Sequence, residues 1–323
     1  MKKLMTNLFM AITPVLALHV SPVHAAYPDK PIKIIVPFAP GGIADSTARL
    51  IASELYNNLG QPVIVENRPG GAAIIGTQAV AKAPADGYTL LMATTNVSTN
   101  SALYKKLPYD AEKDLIPVAL AVIIPGAIVA PASLPVKTFK ELISYAQHNP
   151  DQLSYASVGQ GSFSHLAVES LIQKTSTKIV HIPYKGYSPA ITSVLSGETQ
   201  LLASDLQGAL PYLQAGRLKV LAVTGAKRVA MLPDVPTVQE MGVKDYQAVG
   251  WLGLMAPAGT PSHIVSLLNA QVNKALQKPG AIQRYTEQGV DIFVGDPGAF
   301  KKFLSENKAG WERVIKAANI SLD

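Results

Sequence analysis

The sequence predicts an α/β fold in two lobes, each a mostly parallel sheet flanked by helices. Three observations carry this reading. Runs rich in Val, Ile and Leu recur along the chain with little polar alternation, and stretches of helical spacing separate them. That is the pattern of strands covered on both faces and of repeated βα units. Two widely separated stretches, 34–45 and 153–165, each pass from an apolar run through a glycine turn into a helical run. Between them, residues 115–135 hold two extended apolar segments broken by Pro125-Gly126, as expected of a chain crossing from one lobe to the other.

In chain order, the first element is an export signal. Lys2 and Lys3 precede a short apolar run, Leu8 to Leu18, and Val23-His24-Ala25 is a small-x-small cleavage site. The segment 1–25 is therefore expected to be removed, leaving a soluble, exported chain that starts at Ala26. Strands are expected at 32–38, 62–67, 88–94, 116–122, 127–131, 153–157, 178–183, 199–204, 218–224, 250–256 and 291–294. The first helix runs over 43–59, with Ala44, Ala48, Ile51, Leu55 and Leu59 on one face and Gly60 as its stop. A later helix opens at Ser188-Pro189, with Ser188 as N-cap, and ends at Gly197. Another spans 206–215, and the last starts at Asp296-Pro297 and carries a core stripe of Phe300, Phe303, Leu304, Trp311, Val314 and Ile315. Crossings at 115–135 and near Gly250–Pro257 divide the mature chain into one lobe of 26–125 with 251–323 and another of 126–250.

The two glycine turns carry the functional reading. Glycine turns the backbone tightly and leaves the following N–H groups uncovered at the positive end of a helix, which is an anion site. One such turn is common to all α/β proteins; two, in separate lobes, point to one small anionic ligand held between them. Asp205 follows an expected strand, where open sheets place their ligands. It reads either as a carboxylate facing a ligand ammonium or hydroxyl, or as the N-cap of helix 206–215. His165, near a helix N-terminus, is expected to be neutral and to serve as ligand contact or loop brace.

Composition limits the chemistry. The chain has no cysteine, which removes thiol catalysis, iron–sulfur clusters and Cys-type zinc sites. The formal charge is +6, or +4 once Lys2 and Lys3 are removed, and the cations are scattered rather than clustered as a nucleic-acid surface requires. The excess reads either as modest attraction for anions or as a solvated surface. No His-Glu-x-x-His, Asp-x-Asp-x-Asp or P-loop Lys-Ser/Thr is present, and Gly159-Gln160-Gly161-Ser162 lacks the glycine that completes a nucleophile elbow. No metal and no cofactor is expected. A secreted α/β enzyme acting on a small anion is the competing class; it lacks a nucleophile–base–acid set.

With these motifs in place the chain resembles the Bug, or TctC-like, family of periplasmic receptors of tripartite tricarboxylate transporters. The resemblance rests on Tyr27 to Ile32, Pro37 to Asp45, Glu66 to Gly71, Leu107 to Asp110, Tyr155 to Ala167, Pro183 to Gly186, Leu218 to Thr224, Leu232 to Thr237 and Ala256 to Pro261, in family order. One departure is Asn100-Ser101, where the family commonly has Asn-Pro. The resemblance implies a flytrap of the periplasmic-binding type with a carboxylate between its lobes. The first clamp would be Phe38, Ala39, Pro40, Gly41, Gly42, Ala44 and Asp45. The second would be Ser157, Val158, Gly159, Gly161, Ser162 and His165, with Asp205 toward the ligand's far end. It implies a periplasmic monomer that hands its ligand to membrane subunits of the TctA/TctB type; a sensor docking a membrane kinase would look the same in sequence.

Overall fold

The computed structural model describes residues 27–322, so the expected signal segment lies outside the described residues. One curled sheet runs through the whole molecule. Its strands are β1 (Ile32–Val36), β2 (Val63–Asn67), β3 (Thr89–Thr94), β4 (Leu115–Pro131), β5 (Ser154–Ser157), β6 (Val180–Pro183), β7 (Leu201–Asp205), β8 (Leu218–Val223), β9 (Val249–Pro257) and β10 (Asp291–Ile292). Their order is β2-β1-β3-β9-β4-β7-β5-β6, with β8 and β10 also paired to β4.

Two halves meet on β4. Its residues 115–125 pair with β9, and its residues 126–131 pair with β7 and β8, so the change of partners falls between Pro125 and Gly126. The sequence suggested two strands here because Pro-Gly usually punctuates. The strand continues instead, because the Gly126 N–H donates to Thr224 Oγ1 at 2.8 Å. The outer strands β1–β3 and β5–β7 are parallel, as expected. The expectation of mostly parallel sheets is corrected at the centre: β4 and β9 are antiparallel to their neighbours. A strand that passes from one lobe to the other has no helical crossover to return it in parallel.

Helices cover both halves. Those that build the site are α1 (Ile43–Leu59), α6 (Phe163–Thr175), α7 (Tyr187–Ser196) and α8 (Leu206–Gln214); α2 (Ile74–Ala81), α3 (Asn96–Leu103), α4 (Ala111–Asp114), α5 (Phe139–His148), α9 (Ser262–Leu276) and α10 (Pro279–Glu287) complete the layers. Helix α1 matches its expected span and ends on Gly60 in the left-handed conformation, whose N–H donates to Tyr56 O. Helix α7 starts two residues earlier than expected: Gly186, not Ser188, is its N-cap, and Ser188 lies in the first turn.

Helix α11 (Pro297–Ala317) is a further link between the halves. Asp296 caps it through the Ala299 N–H at 2.7 Å. Its first turns pack Phe300 edge-on to Trp251 with ring centroids 5.6 Å apart, beside β3 and β9. Its last turns bury Trp311, Val314 and Ile315 with Leu142, Leu171 and Tyr246 of the other half. Gln173 Nε2 and the Leu322 N–H then tie α6 and α3 to the C-terminal segment, donating to Val314 O at 3.0 Å and Leu103 O at 2.9 Å.

Candidate functional site

A cleft of about 410 Å³ opens where the halves meet. It is lined by Ile43 at the start of α1, Val158 and Phe163-Ser164 at the start of α6, and Asp205-Leu206-Gln207 at the start of α8. Three helix N-termini therefore face one space. Gly126 and Gly250, on the two crossing strands, complete the floor, and Tyr187, Ser204 and Gln288 stand at the sides.

The three N-termini are not equivalent. Helix α8 is closed by Asp205, whose Oδ1 accepts the Gly208 N–H at 2.6 Å. Helix α1 has no side-chain cap, and among the described residues no group accepts from the Ile43 and Ala44 amides. Helix α6 is capped only at His165 N by Ser162 Oγ, at 3.4 Å, so the Phe163 and Ser164 amides also keep no acceptor among the described residues. Two pairs of unpaired amides, one from each half, are what an anion needs.

The glycine loops hold these amides in place by the same device. In the first, Asp45 Oδ2 accepts the Gly41 N–H at 3.1 Å. In the second, His165 Nδ1 accepts the Gly161 N–H at 2.9 Å. In each case a side chain four residues on folds the turn back onto the helix. Both glycines sit in left-handed backbone, Gly41 at φ +95° and Gly161 at φ +72°, where a side chain is strained.

Asp45 is buried, yet its charge does not oppose an incoming anion. Arg49 Nε and Nη2 donate to it at 2.9 and 3.0 Å, and Asn67 Nδ2 at 2.9 Å. The Arg49 hydrogen bonds, with those of Asn67 and Gly41, outweigh burial and hold its carboxyl down at about 2. Asn67 Nδ2 also reaches Phe38 O at 3.0 Å and fixes the loop entry.

His165 is part of a buried stack. Its ring lies 3.9 Å from His181 at an interplanar angle of 8°, and Tyr155 covers His181 at 4.8 Å. Burial, and then the neighbouring His181, push His165 down to about 4, so it is neutral at pH 7 as the sequence led us to expect. Accepting at Nδ1 requires its proton on Nε2, which faces the Glu169 carboxylate at 3.9 Å. Glu169 in turn accepts the Tyr155 hydroxyl at 2.6 Å.

His181 Nε2 lies 2.7 Å from Ser157 Oγ, the nearest approach to a catalytic pair. Ser157 is fully buried, and its hydroxyl also bridges the Gly159 N–H and C=O at 3.2 Å. It shapes the loop and does not reach the cleft. Ser162 Oγ likewise donates to Gly159 O at 2.6 Å. Among the described residues, no group of three His, Asp or Glu side chains could hold a metal ion.

Of the residues named from sequence, Val158 and Asp205 line the cleft. Phe38, Ala39, Pro40, Gly41 and Gly42 form the exposed first loop, and Ala44 and Asp45 are buried behind it. Ser157, Gly159, Gly161, Ser162 and His165 form the bracing network of the second loop. Sequence reasoning passed over Ile43, Phe163 and Ser164, although the free amides of the helix starts belong to them and to Ala44. It also missed Tyr187, Ser204, Gln288, Gly126 and Gly250. Ser204, next to Asp205 at the end of β7, was open to the same strand-end argument; the others reach the cleft only through topology.

Two lobes sharing a crossing strand, with unpaired amides at the starts of α1 and α6 facing a cleft between them, define a solute-binding receptor. The comparisons agree. Residues 47–320 match the tripartite tricarboxylate transporter receptor family, and the chain belongs to it. BugT of Bordetella pertussis is 34% identical over 305 residues, covering 94% of each chain. An R. palustris protein solved with adipate is 36% identical, with a TM-score of 0.78 over 92% of this chain and all of that one. MatC from Rhodopseudomonas palustris, solved with bound malate, is 33% identical, with a TM-score of 0.73 over 90% of this chain and all of that one.

Proposed function

We propose that this chain is a periplasmic receptor that closes its two lobes on one small organic carboxylate and delivers it, as a monomer, to the membrane subunits of a tripartite transporter. The lobes are residues 26–125 with 251–323 and residues 126–250, with the last turns of α11 docked on the second. The observation that carries the reading is the pair of unpaired amides on each of α1 and α6, facing one cleft. The ligand carboxylate takes these amides, directly or through water, and bridges the lobes. Closure is then a population shift, sized by the contacts that only the closed form makes. Membership of the receptor family supports delivery to a transporter, and no helix among the described residues is long and apolar enough to cross a membrane. The buried Ser157–His181 pair gives an enzyme no exposed nucleophile, which favours binding without turnover.

The far end of the ligand is set by Asp205, which with the Tyr187 phenol provides the ionisable groups on the cleft wall among the described residues. Burial raises Tyr187 to about 12, so it stays neutral. Among the described residues, no Lys or Arg lines the cleft. A second ligand carboxylate would face Asp205, whereas an ammonium, hydroxyl or amide N–H would find an acceptor there. The ligand class is thus a carboxylate with a donor at its far end, in contrast to the dicarboxylates adipate and malate of the two relatives above.

Asp205 both caps α8 and faces the ligand, and two variants separate the roles. Asp205→Asn keeps the cap, and is expected to weaken ligands with a far-end cation about tenfold while sparing simple carboxylates. Asp205→Ala is expected to lower stability by roughly 0.5–2 kcal/mol as well. The check is a calorimetric panel of carboxylates with denaturant melts; an unchanged preference in both variants would leave Asp205 as a cap alone.

A further inference from the structure

Tyr187, Ser204 and Asp205 line one end of the interlobe cleft, and their hydrogen bonds have a fixed direction. Tyr187 is the first residue of α7, and its ring reaches across to the start of α8. A Cβ at Gly208 would come within 2.7 Å of the Tyr187 Cζ and Oη atoms, so glycine there makes room for the phenol. The Tyr187 hydroxyl lies 3.0 Å from Ser204 Oγ. Ser204 is buried, and its Oγ donates to the Asp205 carbonyl at 2.8 Å. A carbonyl oxygen only accepts, so the one Ser204 hydrogen is spent there. The Tyr187 hydrogen then goes to Ser204 Oγ, which leaves the Tyr187 oxygen with lone pairs alone. Beside it, Asp205 Oδ1 accepts the Gly208 N–H, and among the described residues nothing donates to Oδ2. Burial, and then the Asp205 charge, keep the phenol protonated. Gln207 and Gln288 line the cleft too, but an amide turns either its oxygen or its N–H to a ligand and does not discriminate.

We propose that Tyr187 is a specificity-determining residue of this cleft: locked as an acceptor by Ser204, it acts with Asp205 to select carboxylates whose far end is an ammonium over those that end in a hydroxyl. The proposal rests on the reading of the cleft as a carboxylate site. A hydroxyl has one hydrogen, which Asp205 takes, and its own lone pairs then face those of Tyr187. An ammonium has three hydrogens and no lone pair. It satisfies both oxygens at once and brings the charge that matches Asp205. A second carboxylate meets two acceptors and no hydrogen.

The test compares 5-aminopentanoate, 5-hydroxypentanoate and pentanoate, with the four- and six-carbon series alongside, by calorimetry on the full mature chain. The wild-type protein is expected to hold the amino acids about tenfold tighter than the hydroxy acids. Tyr187→Phe keeps the ring and should weaken the amino acids about tenfold, with the hydroxy and unsubstituted acids within about twofold of wild type. Ser204→Ala frees the Tyr187 hydrogen to turn toward the ligand. It should weaken the amino acids about tenfold and strengthen the hydroxy acids about two- to threefold, a change of opposite sign that a structural loss would not give. Tyr187→Phe decides alone if Ser204→Ala fails to fold. Equal binding of amino and hydroxy acids by the wild type, or a Tyr187→Phe protein that weakens all three classes equally or none, would overturn the proposal and leave the carboxylate clamp standing. No binding of any acid, or binding that survives Gly42→Asp, would instead remove the clamp reading, and this proposal with it.

Discussion

Gly42→Asp is expected to abolish ligand binding while leaving the protein as stable as before. Gly42 is the N-cap of α1, at φ −79° and ψ 175°, a conformation open to any residue. A Cβ there meets nothing within 4 Å. Asp is a favoured N-cap, so its carboxylate would accept from the first-turn amides, and helix stability should rise by a few tenths of a kcal/mol or stay level. Such a cap reaches the second and third helical amides, Ala44 and Asp45, so it competes for one of the amides assigned to the ligand, and the new charge repels a carboxylate besides. Losing one charge-assisted hydrogen bond costs roughly 1.5–3 kcal/mol, so affinity should fall by about 100-fold or more. Gly42→Asn caps without charge and should lose less. Calorimetry and denaturant melts on the same preparations check both halves of the expectation. Full affinity in a folded Gly42→Asp protein would remove α1 from the site.

The second large effect is loss of stability in mild acid through His165. In the unfolded chain a histidine takes up its proton near pH 6.5, but in the folded protein burial and His181 delay that to about pH 4. Between those values the unfolded state holds more protons, so stability is full above pH 6.5 and falls as the pH drops toward 4. One group shifted this far costs about 2–3 kcal/mol between pH 7 and 4.5. His181, also pushed down by burial, acts in the same direction. Protonated His165 can no longer accept the Gly161 N–H, so the second loop should loosen first and affinity should fall with stability. Asp45 does not contribute in this window, because its own loss sets in only as pH falls below the ordinary carboxylate range toward 2. His165→Gln keeps a neutral acceptor within reach of the loop and should flatten the curve. Denaturant melts from pH 7 to 4.5 decide the matter: a flat wild-type profile, or an equal slope in His165→Gln, would contradict this role.

How far the sequence could be read depended on whether the signal was local. Helix α1 was readable to its ends because its apolar spacing, its glycine start and Gly60 are all local. The start of the last helix at Asp296-Pro297 and the capping alternative for Asp205 were readable for the same reason. Strand β4 was misread as two because Pro125-Gly126 looks like a break, and only the distant Thr224 hydroxyl keeps the Gly126 N–H paired. The glycine loops were found, but their roles shifted by a residue or two. Glycines, Asp45 and His165 build the turn, and the free amides belong to Ile43, Ala44, Phe163 and Ser164. Cap chemistry assigns those amides once the helix starts are fixed. Tyr187, Gln288 and Gly250 come from segments with no shared motif, and only the sheet order brings them to one cleft. The link of α11 to the second half was hidden because an apolar helix stripe does not say which core it enters.

The most direct measurement is a crystal structure of the mature chain with a carboxylate selected by thermal shift. The account predicts one ligand in the interlobe cleft, its carboxylate on the amides of Ile43-Ala44 and Phe163-Ser164, directly or through one water, and its far donor at Asp205. A cleft left empty under saturating carboxylate, with those amides solvated and the lobes apart, would contradict it.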